Sequence, residues 1–156
     1  MRAIFAGAVM RLSTKGRYAV MAMADLAKNG EGRAVSLAEI ALRQDISLSY
    51  LEQLFARLRR GGLVKSVRGP GGGYRLARLA AETAVGEIVK AVDEPLKAVR
   101  CKAGGMGCMP GGERCLTHDL WEELGAQIDT YLSAVSLQDV LSRNLRPAGL
   151  QSSVAA

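Results

Sequence analysis

Apolar residues recur at helical spacing from Ser13 to Asn29, where Tyr18, Val20, Met21, Met23, Leu26 and Ala27 run up to the pair Asn29-Gly30, a common helix terminator. Ser36 and Glu39 then stand at capping-box spacing and predict a short helix to about Gln44. In such a box the hydroxyl takes a free first-turn amide while the carboxylate reaches back to the cap. The chain restarts at Ser47 or at Ser49, the latter spaced from Glu52 as a second capping box, and Leu51, Leu54, Phe55 and Leu58 follow at i, i+3, i+4 and i+7 until Gly61-Gly62. The other face of this third helix shows Ser49, Tyr50, Glu52, Gln53, Arg57 and Arg60. Two short capped helices around a tight turn predict a helix-turn-helix, whose second member can enter a DNA major groove.

Leu63 to Val67, a run from Arg68 through Gly69-Pro70-Gly71-Gly72-Gly73, and Tyr74-Arg75-Leu76 read as strand, turn and strand, which is a wing. Glycines at its tip let the backbone approach a groove, and Arg68 stands where a cation reaches a narrow minor groove. A phosphate-binding loop is disfavoured, because no Lys-Ser or Lys-Thr follows the glycines and no helix opens there. A helix from Thr83 to Val92 is predicted to halt at Asp93-Glu94-Pro95. Beyond Thr117, Trp121, Leu124, Ile128, Tyr131 and Val135 form a stripe in steps of three and four, with Leu120 and Leu132 alongside. The stripe can pack on its own domain or on a second copy; dimeric helix-turn-helix readers over two half-sites favour the second copy. Ser136 and Asp139 predict one more capped turn through Leu141.

The expected fold is therefore mainly α with a small β-wing: a winged helix-turn-helix over residues 10–92, a ligand loop over 93–119 and a long C-terminal dimerisation helix within 117–141. Residues 1–9 read as an unstructured leader, with Met10 as an alternative start, and 142–156 as a disordered tail.

Charge is unevenly spread. Of the net charge of +6, Arg11 to Arg78 carries 13 Lys and Arg against 5 Asp and Glu, while Leu79 to Ala156 carries 7 against 10. A basic first half suits a polyanion. No apolar run is long enough to span a membrane. Three cysteines cannot all pair, the faintly signal-like opening from Met1 to Met10 has too short an apolar run and leads straight into charged residues, and the thiols cluster with a histidine, which points to a reducing compartment, the cytoplasm.

That cluster is the most concentrated chemistry in the chain. Cys101, Cys108, Cys115 and His118, the chain's one histidine, read C-x6-C-x6-C-x2-H through a glycine-rich stretch. Soft thiolates with one imidazole suit an iron–sulfur cluster, and also zinc in a closed tetrahedron. Structural zinc sites use tight C-x2-C knuckles, so the six-residue gaps favour the cluster. A thiol oxidoreductase is disfavoured, since no C-x-x-C pair is present and His118 lies too close to Cys115 to serve as a positioned base. A zinc-stabilised adaptor leaves the wing and the basic half unexplained.

Met10 to Val20, Ile46 to Phe55, Val67 to Tyr74 and Cys115-Leu116-Thr117-His118 together resemble the iron–sulfur cluster regulators of the Rrf-type winged-helix family, over Met10 to about Leu141. The resemblance implies a homodimeric repressor or activator of cluster-assembly genes. Cys101, Cys108, Cys115 and His118 would bind a 2Fe-2S cluster, supplied by the cell's cluster-assembly machinery. Ser49, Tyr50, Glu52 and Gln53 would read bases in palindromic promoter sites, Arg68 would enter the minor groove, and the helix after His118 would form the dimer interface. In such regulators the loaded form represses cluster-assembly genes and the cluster-free form still binds a second promoter class; Glu52 matches the residue that separates the two classes. Each gap between cysteines is one residue longer here than in the best-known members, a difference the glycine-rich loop is expected to absorb. A sister group senses nitric oxide with a carboxylate ligand from the first helix; Lys15 and Arg17 occupy that region here, which disfavours it. In the major groove Gln53 can pair with adenine, whereas Glu52 can accept from cytosine but repels phosphate, so that it reads as a selectivity element, as the N3 member of a capping box, or as both. Arg57, Arg59 and Arg60 are expected either at phosphates or as solvated charges.

Overall fold

The computed structural model describes residues 13–92 and 109–146. Helix α1 (Thr14–Asn29) begins where the Gly16 amide donates to Ser13 Oγ at 3.2 Å and closes where the Gly30 amide donates to the Leu26 carbonyl. Helix α2 (Leu37–Gln44) opens on the expected capping box, with the Glu39 amide donating to Ser36 Oγ and the Ser36 amide to Glu39 Oε2. It ends at Asp45, which takes the left-handed conformation and turns the chain sharply. Ser47 thereby falls in the extended cap position of helix α3 (Leu48–Arg60) and accepts the Tyr50 amide. Of the two candidate caps Ser47 is the one used. The expected Ser49–Glu52 box is not formed, because Ser49 is already inside the helix.

The inner faces of these helices build one core: Ala22, Met23 and Leu26 from α1, Ile40 from α2, and Leu51, Leu54, Phe55 and Leu58 from α3. Strands β1 (Val64–Val67) and β2 (Gly73–Leu76) pair antiparallel, Val64 opposite Leu76 and Val67 opposite Gly73. Two backbone hydrogen bonds between Val35 and Tyr74 fasten the wing to the chain entering α2, and the Tyr74 ring meets Phe55 edge-on at 5.0 Å.

The predicted helix from Thr83 starts later, as α4 (Val85–Val92), after a 3-10 turn at Ala80–Glu82. Thr83 and Ala84 are instead extended against Val135 to Leu137, with the Val85 amide donating to Val135 and the Leu137 amide to Thr83. Helix α5 (His118–Ala134) crosses α4 closely: a Cβ on Gly86 would come within 3.2 Å of the Leu132–Ser133 backbone. Val135 joins Val85 and Val89 in a second small core, so it is spent inside its own chain and does not belong to an exposed stripe. The Ser136–Asp139 box caps α6 (Leu137–Leu141) as expected. The leader at 1–9, most of the ligand loop and the tail beyond 146 lie outside the described residues.

Candidate nucleic-acid interface and metal centre

The relative pose of α1 and α2 rests partly on Asp25, a carboxylate buried on α1. Arg43 of α2 grips it with two nitrogens, Nη2 at 2.7 Å and Nε at 3.0 Å, and Gln44 adds a donor at 2.7 Å. Burial alone would raise the Asp25 pKa, but the hydrogen bonds from Arg43 and Gln44 and the guanidinium charge outweigh it and hold the carboxyl below its usual range. At the head of α2, Glu39 is lowered to about 2, chiefly by the hydrogen bond from Arg33 and the Ser36 amide. The clamp was legible in principle: an aspartate amid Ala22, Met23 and Leu26 on an apolar face requires a partner.

With α3 seated on its apolar face, Ser49, Glu52, Gln53 and Arg60 project outward and are exposed. Tyr50 is half-buried, its ring edge-on to Tyr18 of α1 at 5.8 Å, so it also packs the reading helix on its support. Arg68 is exposed at the turn between β1 and β2. Arg57 differs from expectation. Although exposed, it sends Nη1 to the Val92 carbonyl at the end of α4, 2.7 Å away, and not outward with its neighbours.

Cys115 and His118 occupy the approach to α5 and its first turn. The His118 amide donates to the Cys115 carbonyl at 3.1 Å, so the two donor side chains leave one tight turn. Cys115 is partly exposed, its Sγ 3.8 Å from Thr117 Oγ1. The His118 imidazole is buried, with Nε2 3.7 Å from Glu122 Oε2. A carboxylate behind a ligating imidazole is a common supporting arrangement, and the i, i+4 spacing of His118 and Glu122 would have revealed it in the sequence. Asp119 completes a group of three ligand atoms within 4.8 Å, although Arg114 already engages it at 3.2 Å. A cysteine sulfur and an imidazole within one turn of chain are donor types that an iron–sulfur cluster takes. Cys101 and Cys108 lie outside the described residues.

Along α5, Leu120, Trp121 and Tyr131 are exposed, at 59%, 41% and 38%, and Leu124 and Ile128 are half-buried. Leu132 faces α4, where Lys90 also meets Asp129 at 2.6 Å. The helix thus packs along one edge and leaves large apolar side chains on another. Among the described residues no helix is long and apolar enough to cross a membrane.

This arrangement has close counterparts. The Rrf2 family model, an iron-dependent transcriptional regulator, matches residues 12–143. The chain belongs to the Rrf2 family. It is 55% identical over 133 residues to the HTH-type transcriptional regulator IscR of Escherichia coli O1:K1, covering 85% of this chain and 81% of that one. Its fold is similar to the solved structure of IscR from T. potens, at TM-score 0.70 and 37% identity over 93% of both chains. It is also similar to CymR, the global cysteine regulator of B. subtilis, at TM-score 0.72 and 33% identity over 85% of this chain and 97% of that one. This Rrf2 protein is a DNA-binding transcriptional regulator of the IscR type and not an enzyme. The winged helix-turn-helix expected from the sequence is the fold observed, a mostly helical body with a two-stranded wing.

Proposed function

We propose that this regulator is a cytoplasmic homodimer that senses iron–sulfur supply by binding a 2Fe-2S cluster through Cys101, Cys108, Cys115 and His118, and adjusts transcription of cluster-assembly genes accordingly. The observation that carries the reading is the pairing of Cys115 with a buried His118 at the head of α5, completing a ligand string that begins just after α4. When bound, the cluster supplies a centre that is gained and lost with cellular iron and sulfide. The chain's residues do the rest. His118, neutral where a fourth thiolate would be negative, gives a weaker fourth position, as a supply sensor needs. Glu122 lies where it can fix the imidazole's orientation.

On the DNA side, Ser49, Tyr50, Glu52 and Gln53 lie in the first turns of α3, the part of a reading helix that meets base edges. Arg60 suits phosphate and Arg68 a narrow minor groove. Two copies joined along Leu120, Trp121, Leu124, Ile128 and Tyr131 would present paired heads to a palindromic site, and the apolar exposure on α5 supports that join. The cluster-assembly machinery is the expected donor of the cluster.

Anaerobic purification tests this directly. The protein is expected to be reddish-brown, to contain iron and acid-labile sulfide in equal amounts near two per protomer, and to bleach in air. Colourless protein with stoichiometric zinc refutes the cluster. A monomer at micromolar concentration refutes the dimer.

A further inference from the structure

We infer that Arg57 is the positioning residue through which cluster occupancy reaches the reading helix: it grips the end of α4 and is not a phosphate contact. The inference rests on the cluster reading above. Its geometric basis is the hydrogen bond from Arg57 Nη1 to the Val92 carbonyl, 2.7 Å long and joining residues 35 apart in sequence. Val92 is the last described residue of α4, and a proline three residues on withholds an amide from the carbonyls of this last turn. A guanidinium there satisfies one of them with a charge-assisted bond and complements the negative end of the helix dipole.

A second contact reinforces the first. Gly61, immediately after α3, lies so close to α4 that a Cβ on it would be 3.2 Å from the Ala91 Cβ. Arg57, Arg60, Gly61 and Ala91 line one open hollow between the two helix ends. In the core beneath, Leu54 and Leu58 of α3 share a cluster with Ile88 and Val92 of α4. The C-terminal half of the reading helix is therefore tied to the last turn of α4 by packing and by one directional bond.

The ligand string lies in sequence between α4 and α5. In sequence Val92 leads into the segment that bears Cys101 and Cys108. In space α4 is crossed at Gly86 by α5, whose first residue is His118, and Lys90 meets Asp129 at 2.6 Å. Four ligands drawn to one centre must fix the chain leaving α4 relative to the chain entering α5. Any displacement of the last turn of α4 moves the Val92 carbonyl, and the bond to Arg57 transmits that displacement to α3.

The test compares Arg57→Met with Arg60→Met, in cluster-loaded and cluster-free protein prepared anaerobically, on one duplex selected from a random library by the loaded wild type. Wild type is expected to bind the duplex at least about fivefold more tightly when loaded, the lower end of ordinary coupling. In Arg57→Met that ratio should fall below about twofold, with the dependence of affinity on salt unchanged. In Arg60→Met the ratio should persist while the salt slope falls by about one, the signature of a lost phosphate contact. A wild-type ratio retained in Arg57→Met, or a lower salt slope in it, overturns the assignment and leaves the cluster reading standing. A wild-type ratio of one removes coupling and assignment together, even where iron and sulfide are present. An independent measurement needs no variant: amide exchange at Arg60 and Gly61 in the wild type should slow on cluster loading, and identical exchange in both states refutes the link.

Discussion

The wing is fastened at a backbone position that tolerates no side chain, and replacing Gly73 by alanine tests how it is held. Gly73 has φ of 153°, and a Cβ there would lie 2.3 Å from the Val35 carbonyl oxygen and 2.7 Å from the Ser36 amide nitrogen. Both are backbone atoms, so no rotamer relieves the clash, and ordinary contact requires the wing to retreat by about 1 Å. The atoms it would retreat from are those that hold it: the Val35 amide donates to Tyr74 at 2.9 Å, and the Tyr74 amide to Val35 at 2.8 Å. Losing two backbone hydrogen bonds costs about 1 kcal/mol each, and forcing alanine into this dihedral region adds about 1–3 kcal/mol, for a total near 4 kcal/mol. Gly71 provides the control, since its φ of 71° is also positive but a Cβ there meets nothing within 4 Å; alanine there should cost about 1 kcal/mol. Urea unfolding of cluster-free protein, at fixed concentration because a dimer's stability depends on it, should shift the midpoint by about 2 M for Gly73→Ala and about 0.5 M for Gly71→Ala, taking a slope of about 2 kcal/mol/M. Equal shifts for the two variants would refute the account of the wing's attachment.

Asp25→Asn should destabilise the cluster-free protein by about 3 kcal/mol, as removal of one member of a buried, hydrogen-bonded ion pair does, and a midpoint change under 0.5 M in urea would contradict this. Because the folded pKa of Asp25 is depressed, its contribution is fully present above the ordinary carboxylate pKa and lost as pH falls through the lower folded value; Glu39, at about 2, acts in the same direction. Wild-type stability should therefore fall below about pH 4, and Asp25→Asn should show a shallower acid loss in urea titrations at pH 3 and pH 6. Arg68→Ala should weaken binding about tenfold on a duplex with an A-tract beneath the wing and less on a G·C-rich one, with equal losses in fluorescence anisotropy counting against minor-groove entry. Trp121→Glu with Leu124→Glu should yield a folded monomer in sedimentation, and a dimer that survives both changes would place the interface elsewhere. His118→Cys should lengthen the life of the visible absorption in air, and an unchanged half-life would remove the imidazole as the labile position.

Local rules carried most of the fold. The caps at Ser36 and Ser136, the stripe of Leu51, Leu54, Phe55 and Leu58 and the glycine-rich wing turn all express interactions within a few residues, so the sequence displays them directly. What it did not display were contacts between elements. Ser47 and Ser49 are equally good caps by type, and the choice was made by the left-handed Asp45 that precedes them. Thr83 and Ala84 suit a helix, yet pairing with Val135 to Leu137 draws them out of α4 and buries Val135 in the chain's own second core. In the candidate site, Cys115 and His118 were conspicuous by type and spacing, whereas the diversion of Arg57 to Val92 depends on how α3 crosses α4, and no pattern in either segment encodes it.

That diversion alters the charge of the reading face. With Arg57 turned toward α4, the exposed polar side chains near the start of α3 are Ser49, Glu52 and Gln53, beside the apolar Leu48, while Arg59 and Arg60 stand at its end and Arg68 on the wing. A carboxylate among phosphates costs affinity, and only a correctly placed donor such as a cytosine amino group offsets it. On the proposed reading the cations at the periphery supply salt-dependent grip on any duplex, and the first turns of α3 supply discrimination. A switch acting through Val92 and Arg57 tilts α3 from its C-terminal end and so displaces Glu52 and Gln53 against the bases. On the proposed reading such a switch alters which sequences are accepted more than how strongly DNA is held.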